Sequence, residues 1–375
     1  MSRGAAGGDR APVLLVSAAG VLGGAERVLL EWTRGLEPPV LLACPPGPLA
    51  AAAVAAGIDV EPLPERPLQR RGRSGRAALE LAALGRDVAR LTRRQRPAVV
   101  VASGQRPLIA AASAPLARAR LLALQHDLPP APPAAAPLRA AAARAAAIVA
   151  TSGAIARALD PRARRLGRTH VIHPGVDAIA WQLPDPPPRP PRALFLGALV
   201  PWKRADLALE IAARLPDLHL DVAGAAMPGD RPEFAAALRE RAERPDLADR
   251  VRLLGALDDP RPAMAQAHAL LHCADREPFG LALVEALAAG RPVVAPASAG
   301  PLEIVTPACG RLYAPRDADA GAVALRDVLM DPAAPAAARA RARRAGAVEA
   351  ARPRARSGGT RARTATRARR CADPG

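Results

Sequence analysis

Lys203 is the only lysine in 375 residues, and it stands at the mouth of a loop that leaves a strand ending at Gly197. The other basic residues, of 53 in all, are arginines. An ammonium is a compact point charge suited to a phosphate oxygen. Near a surface such a contact is worth of order 4 kcal/mol of Coulomb energy at 4 Å before desolvation. Downstream, Glu277 and Glu285 bracket an apolar run in which Phe279, Gly280 and Leu281 open a helix. The free N–H groups and positive dipole end of that helix favour an anion. Glu277 falls in the loop ahead of the helix, at the carboxyl end of a buried strand, where open α/β sheets bind ligands. Glu285 lies inside the helix, about a turn and a half along. Near the start, residues 18–26 form a Gly-rich loop between a strand and a helix. There Gly23 and Gly24 let backbone N–H groups approach a phosphate or a sugar closely. Each feature also has a plain reading: surface glutamates on a helix, a chance lysine, an ordinary tight turn.

These residues need a sheet to hold them. Residues 268–273 and 291–296 read as buried strands on either side of the 277–290 segment, which makes a βαβ unit of a parallel sheet. The same alternation runs through the chain. Strands are expected at 12–17, 40–44, 59–63, 98–102, 120–125 and 147–151, with helices near 48–56, 75–95, 107–118, 137–145 and 153–160. A second series begins with a strand at 192–197, followed by a helix at 205–215, strands at 218–223 and 250–254, and helices at 232–244 and 318–330. Between the two series, residues 183–191 hold six prolines in nine positions. That run cannot form helix or central strand, and its stiff extended backbone suits an interdomain connector. The Pro- and Ala-rich stretch 128–137 reads as a mobile loop over the cleft.

Taken together, Glu277-x7-Glu285 with Phe279-Gly280 after the first glutamate resembles the signature of the retaining nucleotide-sugar glycosyltransferases of family 4. The resemblance covers residues 12–332 and implies the GT-B fold, an α/β class with two Rossmann-like, doubly wound parallel-sheet domains facing across a cleft. Gly23 and Gly24 resemble the Gly-Gly-x-Glu loop that lies near the donor phosphates and the acceptor. Residues 197–204 resemble the Gly-Ala-Leu-Val-Pro-x-Lys-Arg variant of the diphosphate loop, with Ala198 where an arginine is commoner. Gly224 and Gly255 match strand ends that flank the nucleotide base. His126 matches a histidine near the donor sugar, Ser152 a recurrent serine whose plain role is to cap a helix, and residues 299–303 a loop whose backbone amides meet sugar or phosphate. The resemblance therefore implies Glu277, Lys203 and His126 as the catalytic set. It implies Gly23, Gly24, Arg204, Gly224, Gly255, Phe279, Gly280, Leu281 and Glu285 as the donor-binding set, with Glu285 on the ribose hydroxyls. It implies no metal and no cofactor, since the nucleotide sugar is a substrate. The acceptor class, whether glycan, lipid or small molecule, stays open.

The expected domains are 1–178, a linker at 179–191, 192–332, and an Arg/Ala-rich tail at 333–375 with too little apolar surface to order on a core. Hydrophobic residues make up 50% and aromatics only 2%, so Leu, Val and Ala must build the interior. No stretch of ~20 apolar residues free of charge is present, and the N-terminus lacks a signal-type apolar core. Cys44, Cys273, Cys309 and Cys371 show no CxxC spacing and read as reduced thiols, pointing to a cytoplasmic location. The net charge is +18. Arg-rich composition accounts for it without a polyanionic partner, although the basic run 69–73 and 86–96 also suits contact with an anionic membrane. Two other functions remain: a catalytically impaired homologue that binds a partner, for which Ala198 and the tail speak, and a nucleic-acid binder. Against the last stands the near absence of aromatics for base stacking, so no nucleic acid is expected.

Overall fold

Apolar, β-branched runs buried on both faces form parallel sheets, and this chain builds two of them. The computed structural model describes residues 11–344 except 38, 67–73, 162–166, 189, 227–231 and 332. The basic run 69–73 and residues 345–375 of the expected tail lie outside the described residues.

The first sheet takes β1 (Val13–Ser17), β2 (Val40–Cys44), β3 (Asp59–Pro62), β4 (Val99–Ser103), β5 (Arg120–Gln125), β6 (Ala147–Ala150) and β7 (Thr169–Val171), all parallel, in the order β3-β2-β1-β4-β5-β6-β7. Helices α1 (Gly24–Thr33), α2 (Pro48–Ala55), α3 (Ser74–Gln95), α4 (Gln105–Ser113), α5 (Ala136–Arg144) and α6 (Gly153–Leu159) connect them. Successive residues of β1 point to opposite faces, as the strand period requires. Leu14 and Val16 join one apolar cluster, and Val13 and Leu15 the other.

The second sheet takes β8 (Arg192–Leu196), β9 (His219–Ala223), β10 (Val251–Gly255), β11 (Ala269–Leu271), β12 (Val293–Pro296) and β13 (Gly310–Tyr313), again all parallel, in the order β10-β9-β8-β11-β12-β13. Its helices are α7 (Ala205–Ala213), α8 (Pro232–Ala242), α9 (Arg261–Gln266), α10 (Leu281–Ala288), α11 (Pro301–Ile304), α12 (Ala318–Met330) and α13 (Ala334–Arg344). The chain is thus two doubly wound, Rossmann-like domains, the arrangement of the GT-B fold. In α10 the buried residues are Leu283, Val284, Ala286 and Leu287, a single stripe at helical spacing. Fully burying each of its leucines contributes about 1.5–3 kcal/mol.

Two expectations are corrected here. Helix α4 ends at Ser113, short of the expected 118, because Ala114 precedes Pro115 and takes an extended conformation (φ −87°, ψ 147°). The expected tail is also not unstructured from its start, since residues 334–344 form α13. Large aliphatics are unnecessary there: the small side chains of Ala334 and Ala338 are buried, and Ala338 joins the cluster that contains α10. Arg339 pairs with Asp185 of the linker at 2.8 Å. The linker is held from beneath by Arg291, wholly buried, whose Nε donates to Met264 O at 3.0 Å and whose Nη2 donates to Pro184 O.

Candidate functional site

Strands β8 and β11 are neighbours at the centre of the second sheet, and their connections leave in opposite directions, to β9 and to β12. Such a switch point opens a crevice at the carboxyl ends of the strands. The loops after these two strands carry Lys203 and Glu277. After β8 comes a 3-10 turn, Pro201–Lys203, closed by Arg204 in the left-handed conformation (φ 57°). Asp275 N donates to Trp202 O at 2.9 Å, which ties this turn to the β11–α10 loop. Lys203 Nζ, 4.3 Å over the Trp202 ring, then donates to Glu277 Oε2 at 2.5 Å. Gly300 N fixes the Glu277 carbonyl at 2.9 Å. Gly280 ends the loop at φ 108°, where a Cβ would lie 2.6 Å from Leu283 Cδ1. Only glycine makes that turn into α10 without strain.

Glu277 is only 7% exposed. Burial alone would push its carboxyl up, but the neighbouring charge, the Lys203 ammonium first, outweighs burial and holds it at about 2. His272 follows β11, is 4% exposed, and places Nε2 3.2 Å from the same Oε2. That approach is off the line of a hydrogen bond, so Nε2 has no hydrogen-bond partner. In the sequence His272 lies within the run 268–273 that reads as a buried strand. A histidine inside an otherwise apolar run was the available signal.

Glu285 sits in a contrasting environment. It is half-buried on α10, and no hydrogen bond among the described residues reaches its carboxylate. Burial raises its carboxyl to about 7, moderated by Arg27 of α1. The start of α1 also faces the start of α10, since a Cβ on Gly24 would come 3.0 Å from Leu281 Cδ1. Gly23, just ahead of it, takes the Glu26 carboxylate on its N–H at 3.1 Å. Across the second sheet, Gly224 passes so close to Gly197 that a Cβ would lie 1.9 Å from Gly197 O, and Gly224 N donates to Gly255 O at 2.7 Å. Three strand ends therefore meet without side chains and leave a bare floor beside Lys203.

Two expected residues are placed differently. Arg204 does not turn toward Glu277. Its Nε donates to both carboxylate oxygens of Asp206 at 3.1 and 3.0 Å, and its Nη1 reaches Asp275 at 3.5 Å. With Ala198 uncharged, Lys203 carries the positive charge of this loop toward the crevice. His126 follows β5, with Nε2 3.7 Å from Asp127 Oδ2. No hydrogen bond or ion pair among the described residues joins it to Lys203 or Glu277.

A bridge between the domains was not foreseen. The Glu303 carboxylate accepts from Gly153 N at 2.8 Å and Ala154 N at 2.7 Å, at the start of α6, and from His173 Nε2 at 3.2 Å. Ser152 caps α6 by accepting from Ile155 N at 3.2 Å, while its hydroxyl donates to Pro278 O at 2.6 Å. His173 stacks on Phe279, with ring centroids 5.4 Å apart. The residues next to Glu277 are thus held by the first domain. Among the described residues no group of three or more His, Cys, Asp or Glu is placed to hold a metal, and no helix is long and apolar enough to cross a membrane. In the basic run on α3, Arg90 pairs with Asp87 and Arg94 with Glu61, which uses part of the charge that would face lipid.

Residues 22–179 match the family described as Glycosyltransferase Family 4, and residues 182–345 match Glycosyl transferases group 1. A D-inositol 3-phosphate glycosyltransferase of Mycolicibacterium paratuberculosis is 34% identical over 189 residues, covering 47% of this chain and 42% of the relative. A phosphatidyl-myo-inositol mannosyltransferase of Mycolicibacterium smegmatis is 37% identical over 148 residues, covering 38% and 34%. The chain spans less than half the length of these curated relatives. Among solved structures, Anabaena HepE in complex with UDP and glucose superposes with a TM-score of 0.75 at 24% identity, covering 88% of this chain and 94% of that one. Sucrose-phosphate synthase from Thermosynechococcus elongatus superposes at 0.73 with 20% identity, covering 89% and 94%.

Proposed function

Since the chain belongs to the group 1 glycosyltransferases of family 4, we propose that it moves a sugar from a nucleotide-diphosphate donor to an acceptor with retention of anomeric configuration. The observation that carries this reading is the Lys203–Glu277 pair at the switch point between β8 and β11. The ammonium meets the donor diphosphate, and the N-terminus of α10 at Gly280 and Leu281 adds backbone N–H groups. Stabilising the charge of the leaving diphosphate is then the main catalytic term. Glu277, held ionised, faces the sugar carbon as it becomes cationic. The diphosphate charge is met by the protein, so the transfer is metal-independent in this reading.

The donor class is read by thermal shift. UDP, the nucleotide in the HepE complexes, is the first to try, beside GDP and ADP. At a hundred dissociation constants the matching nucleotide adds about 2.7 kcal/mol of stability and raises Tm by several degrees. A well-folded sample that responds to none of the three has no site for these three nucleotides.

Glu285 gives the reading a pH signature. Ribose hydroxyls donate more strongly to its ionised form, and its carboxyl is raised to about 7 by burial. Donor binding is therefore coupled to loss of that proton. Nucleotide affinity is expected to climb as pH rises toward 7, by up to about tenfold per unit, and to level off above it. Glu285→Gln should flatten the profile. A wild-type affinity independent of pH between 5.5 and 8.5 would remove Glu285 from the ribose.

One observation favours a second reading, an impaired homologue that binds nucleotide without turnover: Ala198 lacks a charge, and Arg204 is engaged by Asp206 and Asp275. Nucleotide binding without transfer to any acceptor would decide for it. A cytoplasmic location belongs to the main reading, because Cys44, Cys273 and Cys309 are free and buried. Contact with anionic lipid belongs there too, through the exposed Arg86 and Arg93 of α3.

A further inference from the structure

We propose that His272 is a positioning residue for Glu277, holding its carboxylate in place when Lys203 turns from that carboxylate to the phosphates of a donor. The proposal rests on the reading of the site as a sugar-nucleotide site.

Two cationic or N–H-bearing side chains converge on one oxygen, Oε2 of Glu277, at 2.5 Å from Lys203 Nζ and 3.2 Å from His272 Nε2. They are not equivalent. Lys203 is the most exposed member of the cluster, with 19% of its side chain accessible against 9% for Glu277 and 5% for His272. It rises on a flexible stem from a short turn at the crevice mouth, and only an ammonium so placed can exchange one anion for another. His272 cannot leave. Its backbone N–H donates to Val294 O at 2.8 Å, and its backbone carbonyl accepts from the Tyr313 hydroxyl at 3.0 Å, so its backbone is fixed on both sides.

The resting arrangement leaves His272 incomplete. Its Nε2 is buried without a hydrogen-bond partner, yet within reach of the carboxylate. Buried polar nitrogens seldom stay unpaired in a finished site. While Lys203 draws Oε2 to itself, the histidine is left off line. Once the ammonium is taken up by a diphosphate, a small shift of the carboxylate aligns it with Nε2. The buried anion then never stands alone, and it keeps its place beside the sugar. The remaining charges around the cluster are already engaged with one another: Arg204 with Asp206 and Asp275, and Asp275 with Arg316 at 2.8 Å.

The test needs no turnover. In the Lys203→Met variant, which mimics the departed ammonium, the Glu277 carboxyl is followed by carbon NMR on labelled glutamate, with Glu277→Gln for assignment. Glu277 is expected to stay ionised at neutral pH in Lys203→Met. Adding His272→Leu should move its titration upward by about one unit or more, the scale of a hydrogen bond to a charged group. Adding His272→Gln, which returns an N–H to the site, should restore it. In the otherwise unaltered enzyme, His272→Leu should lower kcat roughly 10- to 100-fold with donor KM little changed, and His272→Gln should recover most of the loss. Should the leucine variant not fold, the glutamine variant is compared with His272→Ala. A carboxyl that titrates at the same pH with and without the imidazole overturns the proposal, as does a kcat loss that glutamine does not relieve. A shifted titration in a protein that binds no nucleotide overturns the sugar-nucleotide reading instead.

Discussion

Glu277→Gln should lower kcat by roughly 10²- to 10³-fold, the scale on which a preorganised electrostatic contact to a transition state is lost, while leaving the donor KM within a few-fold. The substitution keeps size and shape, so the change is one of charge at a position 7% exposed, where solvent screens little. In the wild type the carboxyl is held at about 2 against the upward push of burial, so it is an anion throughout the working range. Under the proposed transfer, an anion there matters most when the sugar carbon is cationic, in the transition state. Ground-state binding should behave differently. Losing the carboxylate frees Lys203, which can then give its full charge to the diphosphate, so nucleoside diphosphate affinity should be equal or higher. Kinetics at saturating donor, with nucleotide binding by calorimetry, separate the two effects. A raised KM with unchanged kcat would make Glu277 an ordinary donor contact.

How much of this was readable beforehand depends on the kind of signal each element carries. The buried strands are legible because an all-parallel sheet covered on both faces needs uninterrupted apolar runs, such as 13–16 and 293–295. The loops that hold Lys203 and Glu277 are legible because a chain with one lysine marks its place, and because a glycine before a helix marks a turn. What sequence could not carry is pairing across distance. Glu303 is 150 positions from Gly153, and nothing in its neighbours announces that its carboxylate will accept that N–H. His272 reads as strand filler until the loop five residues on folds back over it. Arg204 looked like a second phosphate ligand, but its two acidic partners, at 206 and 275, become visible as a pair only in three dimensions. The helix at 334–344 was missed for another reason. It lacks the large apolar side chains that announce burial in a sequence, whereas its alanines let helices approach closely and bury backbone-proximal surface.

The bridge through Glu303 and Ser152 gives these distances a mechanical meaning. The loop carrying Glu277 belongs to the second domain, yet Pro278 O takes the Ser152 hydroxyl and Phe279 takes the His173 ring, both from the first. The carboxylate of Glu277 is held within its own domain by Lys203 and His272, while the two residues that follow it are seated in part by the first domain.

Lys203→Met should destabilise the fold by about 3 kcal/mol at neutral pH, the lower end for a buried ion pair broken from one side, because His272 remains beside the carboxylate. The sign follows from the pair's titration. The folded-state pKa of Glu277 is depressed, from 4.5 to about 2, so its contribution is present above the unfolded value and is lost as pH falls through about 2. In the variant the depressing charge is gone while burial stays, so the carboxyl titrates higher and the anion becomes a cost at neutral pH. Lowering the pH toward 4 lets Glu277 take a proton, and the gap between variant and wild type should narrow. Combining Lys203→Met with Glu277→Gln removes the stranded charge and should recover most of the lost stability, so the two substitutions are strongly non-additive. Urea unfolding of the four proteins at pH 7 and pH 4.5 measures the coupling. A double variant no more stable than Lys203→Met would mean that the lysine stabilises through its packing on Trp202, 4.3 Å from the ammonium, and that the pair with Glu277 contributes nothing to the fold.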